Sequence, residues 1–148
     1  METNDTYTAK VESGNWPKDC SVPLDEAFKD ARGIIQNLIL RPCTSVAVIH
    51  SSACTLRANH YHKTDWHYAY VISGKVLYFE RPVGFTEVPD PRCFRPGEMF
   101  FTPPMTEHCM AFPIETVIVT MAKNIRSHEN HEFDLVRVDF VKPENLGW

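Results

Sequence analysis

Residues 55–81 read TLRANHYHKTDWHYAYVISGKVLYFER, and the texture of this stretch decides the fold. Three runs, 55–62, 67–73 and 76–81, read as strands: the last two are dense in Tyr, Val, Ile and Phe, and the first carries Thr55, Leu56 and Tyr61, side chains that suit a pleated, half-buried surface. They are short, and Lys63-Thr64-Asp65 and Ser73-Gly74 between them turn the chain. Ser73-Gly74 predicts a tight hairpin. Working outward, the same texture recurs at 34–40, 45–50, 99–102, 108–112, 116–121 and 133–140, separated by Pro, Gly, Asp or Ser. So many short strands with scarcely any helix predict an all-β sandwich or small barrel. The proline-rich stretch 82–91, PVGFTEVPDP, predicts a surface loop.

Upstream, Leu24, Ala27, Phe28 and Ala31 recur at helical spacing and predict one short helix over 24–32, stopped by Gly33. The chain then divides into an N-terminal arm with that helix (1–32), a β-barrel (33–141) and a C-terminal extension (142–148). A length of 148 residues suits a single domain holding all three.

Composition removes several function classes. Net charge is −4, which argues against a general binder of nucleic acid or anionic membranes. No stretch approaches the roughly 18 consecutive apolar residues that cross a bilayer. The opening METNDTYTAKVESGNW has no apolar segment of the secretory kind, and the five cysteines are scattered without a C-x-x-C pair. Reduced thiols and a cytoplasmic location are the expectation. Six glycines against eleven prolines predict short, stiff connections.

Seven histidines matter only where they cluster, and three fall in His60-Tyr-His62-Lys-Thr-Asp-Trp-His67. His60 and His62 are two apart, so on a strand both project from one face. Two imidazoles converging on a point suit a transition metal. His67 has the wrong parity for an unbroken strand, but a reversal at Lys63-Thr64-Asp65 returns it beside the pair. His108 follows a stiff corner, Pro103-Pro104-Met105-Thr106-Glu107, and heads another β run. His50, His128 and His131 stand alone or in a polar tail and are read as surface residues.

These residues resemble the cupin superfamily, whose motifs are similar to G-x5-H-x-H-x(3,4)-E-x6-G and G-x5-P-x-G-x2-H-x3-N. The first runs here from Cys54 through His60, His62 and His67 to Gly74; the second runs from Gly97 through Pro103, Met105 and His108 to Phe112. Cys54, Met105 and Phe112 depart from the pattern at turn and packing positions. His67 departs where the family usually carries a glutamate ligand. The resemblance implies a cupin-type double-stranded β-helix (jelly-roll barrel) and a divalent metal, Fe, Zn, Mn, Ni or Cu, held by His60, His62, His67 and His108. Four neutral imidazoles leave the ion's charge uncompensated, which favours an anionic or chelating substrate.

A second resemblance cuts across the first. Arg57-Ala-Asn-His60-Tyr-His62-Lys63 is similar to the Arg-x-x-His-x-His/Gln signature of cupin-fold sugar-nucleotide epimerases and ketoisomerases. That likeness implies that Arg57 holds nucleotide phosphates and that His60 or His62 acts as a general base without metal. Strict alternation places Arg57 on the face opposite His60, so a bulge is required to bring it inward. Tyr70 and Tyr78 are the candidates for a catalytic hydroxyl. Glu107 reads as a surface acid, and Cys109 as a structural thiol facing away from His108.

Three functions remain. The first is a metal-dependent enzyme acting on a small carboxylate, keto or sugar-type metabolite by isomerase, epimerase, lyase or oxygenase chemistry. The second is a metal-independent sugar-nucleotide epimerase or ketoisomerase, and the third is a non-catalytic ligand-binding cupin. Exposed edge strands predict a homodimer with a small-molecule ligand and no nucleic-acid or membrane partner.

Overall fold

The computed structural model describes residues 16–148. The first fifteen residues of the expected arm lie outside them. The strands are β1 (Ser21–Val22), β2 (Phe28–Asp30), β3 (Gly33–Ile35), β4 (Ser45–Ser51), β5 (Thr55–His62), β6 (His67–Ser73), β7 (Val76–Pro82), β8 (Arg92–Phe94), β9 (Met99–Thr102), β10 (Thr106–Phe112), β11 (Thr116–Ala122) and β12 (Leu135–Arg137). A helix, α1 (His128–Asp134), and a 3-10 turn (Pro143–Leu146) complete the described elements.

Two five-stranded antiparallel sheets face one another, in the orders β1-β9-β6-β11-β4 and β12-β5-β10-β7-β8. From β4 to β7 the chain changes sheet at every connection, and it does so again from β9 through β12. This crossing pattern is the jelly-roll cupin fold. It corrects one expectation: β6 and β7 lie in different sheets, so Ser73-Gly74 is a corner and not a hairpin. Gly74 turns it at φ +89°, against the backbone of Glu115 and Thr116, and Lys75 N–H donates to Thr116 Oγ1 at 3.0 Å.

Alternation sorts the side chains of each strand into two environments. Facing inward, Ala69, Val71, Val76, Tyr78, Phe94, Phe100, Met110, Phe112 and Ile118 form one apolar cluster. Along β10 the inward residues run His108, Met110, Phe112, and along β6 they run His67, Ala69, Val71. The barrel is therefore plugged with hydrocarbon at one end and lined with imidazole at the other. Burying each phenylalanine of the plug contributes about 2–3 kcal/mol.

The outer faces are covered by the chain's own flanks. Trp16, Val22, Leu24, Leu38, Ile39 and Cys43 pack against Trp66, Tyr68, Met99, Phe101 and Met121. Val138, Leu146 and Trp148 pack against Phe79, Cys109, Ala111, Phe140 and Val141. Glu107 is buried in this second layer and ion-paired with Arg81, whose guanidinium lies 4.2 Å from the Phe140 ring centroid. It is not the surface acid its sequence context suggests.

The helix expected over 24–32 does not form. Phe28–Asp30 and Gly33–Ile35 make an exposed hairpin instead. Asp30 Oδ1 accepts the Arg32 N–H at 2.8 Å, a side-chain turn that competes with helix. The strand expected at 34–40 is cut to Gly33–Ile35, because Leu38 and Ile39 turn onto the tryptophan cluster. The strand expected at 133–140 is cut to Leu135–Arg137, and the polar stretch before it is the helix α1.

Candidate active site

β5 carries the first three site residues. Its register against β10 pairs His60 with His108, Ala58 with Cys109 and Arg57 with Met110, leaving Asn59 as an extra residue. Ala58 and Asn59 both have positive φ, 75° and 53°. This is the bulge that Arg57 requires. It restores parity, so Arg57, His60 and His62 line one cavity of about 220 Å³ together with His67, His108, Thr120, Arg126 and His131. Asn59 is held from outside, its amide Nδ2 donating to Val141 O at 3.0 Å and its Oδ1 accepting Val141 N–H at 3.1 Å.

The rings are closely set. Centroids are 4.7 Å apart for His60–His62, 4.8 Å for His60–His108 and 5.3 Å for His67–His108. His131, read from sequence as a surface residue, lies 5.4 Å from His62 and 6.0 Å from His60. No local signal marks it. It reaches the cavity because Asp134, three residues on, is tied to the β5–β6 turn, accepting Thr64 N–H at 3.0 Å, Thr64 Oγ1–H at 2.7 Å and Asp65 N–H at 3.1 Å.

Burial governs the charge state of these imidazoles. It pushes His60 down to about 2, His62 to about 3 and His108 to about 4, and holds His67 well below the ordinary histidine value. The neighbouring rings and Arg126 add to the effect for His60, His62 and His67. All four are neutral at pH 7 and offer lone pairs or N–H groups, not positive charge. His108 Nδ1 faces the Thr106 carbonyl at 3.0 Å; a carbonyl only accepts, so Nδ1 carries the proton and Nε2 the lone pair.

The donor set fits a metal. Among the described residues, ring nitrogens of His60, His62 and His108 lie within 4.8 Å of one another, and both nitrogens of His62 are buried without a hydrogen-bond partner. His67 is not part of that triad. Its Nδ1 faces Arg126 Nη2 at 3.1 Å, while Arg126 Nε donates to Asp65 Oδ2 at 2.9 Å. Asp134 Oδ2 is 3.4 Å from His62 Nδ1, near enough to act on its charge.

The two tyrosines fall elsewhere. Tyr70 is three residues from His67, so it faces the outer tryptophan cluster. Tyr78 points inward but at the apolar end, its hydroxyl 2.7 Å from Thr102 Oγ1 and 3.0 Å from Glu80 Oε2. Neither lines the histidine cavity. Arg57 is exposed at its rim, with Nε donating to Ser51 Oγ at 2.8 Å and Nη2 to His50 O at 3.0 Å. Further N–H groups of the guanidinium's five are left for an anion. On the other side of α1 lies a larger, shallower groove bordered by Lys63, Lys123 and Phe133.

No family model matches the chain, and no curated protein matches it. Solved structures do. The QdtA 3,4-ketoisomerase from Thermoanaerobacterium thermosaccharolyticum, as a double mutant in complex with TDP, matches with TM-score 0.60 and 18% identity over 76% of this chain and 82% of its own. The dTDP-4-dehydrorhamnose 3,5-epimerase from Sulfolobus tokodaii matches with TM-score 0.53 and 14% identity over 70% and 69%. The capsular polysaccharide assembling protein CapF from Staphylococcus aureus matches with TM-score 0.57 and 22% identity over 80% of this chain but 35% of its own. At these identities the likeness establishes the fold, a jelly-roll cupin of the kind found in sugar-nucleotide ketoisomerases and epimerases.

Proposed function

We propose that the protein is a sugar-nucleotide ketoisomerase or epimerase that moves a proton at a carbon beside a keto group, using imidazole as the base and no metal. The observation that carries this reading is the bulge at Asn59, which sets Arg57 at the rim of the cavity lined by His60 and His62. A cavity of about 220 Å³ is smaller than the roughly 300–1,000 Å³ of whole-ligand pockets. It suits one sugar ring, with the diphosphate outside against Arg57. His62 is the favoured base because it alone of the four imidazoles has a carboxylate beside it, Asp134 Oδ2 at 3.4 Å, which partly offsets the burial that lowers its basicity. The proton passes to His62, the C–H electron pair becomes the carbon–carbon double bond of the enolate, the carbonyl π pair moves to oxygen, and return of the proton to carbon completes the exchange. The likeness to the TDP-bound ketoisomerase supports the same substrate class.

The test is solvent deuterium exchange into TDP-4-keto-6-deoxyglucose, followed by NMR with EDTA-treated protein. Exchange that His62→Ala abolishes is the expected result. Absence of both exchange and TDP binding would sink the reading.

A second reading is favoured by the unpartnered nitrogens of His62 and the compact triad. His60, His62 and His108 would hold a divalent transition metal, supplying Lewis-acid stabilisation of an enolate-like oxygen. Activity that EDTA removes and one metal restores, together with stoichiometric metal lost in His60→Ala, would select it.

A further inference from the structure

We propose that His67 is an N–H donor held in one tautomer by Arg126, and that it binds the substrate's carbonyl oxygen instead of serving as a fourth metal ligand; its role toward a carbonyl rests on the keto-sugar reading above. Arg126 Nη2 lies 3.1 Å from His67 Nδ1. A guanidinium has only donors and stays protonated, so Nδ1 must accept. A neutral imidazole has one proton, which therefore sits on Nε2. A protonated ring would set N–H against N–H, and the charge of Arg126 together with complete burial opposes that state.

Arg126 is itself fixed. Its Nε donates to Asp65 Oδ2 at 2.9 Å, its backbone N–H donates to Ser45 Oγ at 2.9 Å, and Asp65 Oδ1 accepts Asn124 N–H at 2.9 Å. A carboxylate, a guanidinium and an imidazole thus form a chain whose end presents a proton. His108 is set the opposite way, with its proton committed to the Thr106 carbonyl and its Nε2 lone pair exposed to the site. Two rings 5.3 Å apart therefore bring a donor and an acceptor to one cavity. Ligation by His67 Nε2 would first require its proton to leave, and Nδ1 is already occupied. A neutral N–H donor fixed before substrate arrives suits an oxygen on which negative charge develops.

The deciding measurement needs no substrate. Long-range proton–nitrogen correlation spectra of nitrogen-15-labelled, EDTA-treated protein report which ring nitrogen is protonated, with His67 assigned by the signals lost in His67→Gln. The expected pattern is Nε2 protonated and Nδ1 bare, giving way to mixed tautomers in Arg126→Met. A ring protonated at Nδ1, or at both nitrogens, overturns the proposal, as does an unchanged pattern in Arg126→Met. Turnover then tests the carbonyl role. His67→Gln, which retains an N–H donor, should keep kcat within about tenfold, and acceptor-only His67→Glu should lose roughly a hundredfold with little change in KM. Equal losses overturn that role. A wild-type protein with no turnover would count against the isomerase reading and the carbonyl role together, while the spectra still decide the tautomer.

Discussion

Arg57 and His60 face the same side of β5 although three positions separate them, because Asn59 is an extra residue in the strand. On a regular strand one of the two would point away from the cavity. The bulge therefore determines whether an anion-binding group and the imidazoles serve one ligand.

Asn59→Val tests this directly. A β-branched residue in the left-handed region costs about 1–2 kcal/mol, and the two hydrogen bonds to Val141 contribute about 1 kcal/mol each. The expected loss is about 3 kcal/mol in urea unfolding, with weakened TDP binding. Asn59→Gly tolerates the same backbone and should lose only about 2 kcal/mol. Equal stability of the two variants would contradict the argument.

Arg57→Ala should weaken TDP affinity by about 10- to 100-fold, as expected for hydrogen bonds to a charged partner. Stability should change by less than about 1 kcal/mol, since the side chain is exposed. Calorimetric titration reads both the loss and its shrinkage at high salt. Lysine at this position should restore part of the affinity, lacking the planar fork.

Acid should destabilise the EDTA-treated protein early. In the unfolded chain the histidines take up protons near 6.5, whereas His108 does so only near 4, His62 near 3 and His60 near 2. Between these limits the unfolded state binds more protons, so stability is fully present above pH 6.5 and falls as pH is lowered. Each group contributes up to about 1.4 kcal/mol per pH unit. Thermal midpoints between pH 7 and 4.5 should drop steeply and less so in His108→Leu; a flat profile would refute buried neutral imidazoles.

Gly74→Ala should be among the most damaging single substitutions. The positive φ strains any side chain, and a Cβ would collide with the Glu115 carbonyl and Thr116. A loss of about 3 kcal/mol or more is expected by chemical denaturation. Gly97→Ala, with positive φ but no atom within 4 Å of its Cβ, should cost about 1–2 kcal/mol.

Asp134→Ala should free α1. The helix buries none of its own residues; beside the ring contacts of His131 and Lys63 over Phe133, it is held by three hydrogen bonds from Thr64 and Asp65 to Asp134 and the backbone contact from Lys63. Hydrogen exchange at residues 128–134 should speed up while β10 and β11 stay protected. Unchanged exchange would mean that something other than Asp134 holds the helix.

The strands at 55–62, 67–73 and 99–102 are legible to the residue, because alternation and turn chemistry are local properties. The shared face of His60 and His62 follows from the same period of two. What escaped the sequence depends on distant partners. His131 enters the cavity through a carboxylate that docks on a turn some seventy positions earlier and through the pairing of β12 with β5. The role of His67 turns on Arg126, 59 positions away in the chain. Tyr78 shows the converse, since an inward-facing hydroxyl can still belong to the plugged end of a barrel. The helical spacing near Leu24 failed because only Leu24 found apolar surface to cover.

The latch between Asn59 and Val141 also has a consequence for folding. Those residues are 82 positions apart, whereas β5 and β10 pair across about fifty, so the strands can meet before the latch that holds the bulge closes. The latch opposes the regular register that would carry Arg57 away from the histidines. Strand pairing of the barrel is thus separable from the contact that holds its binding site in register, which closes the longer loop.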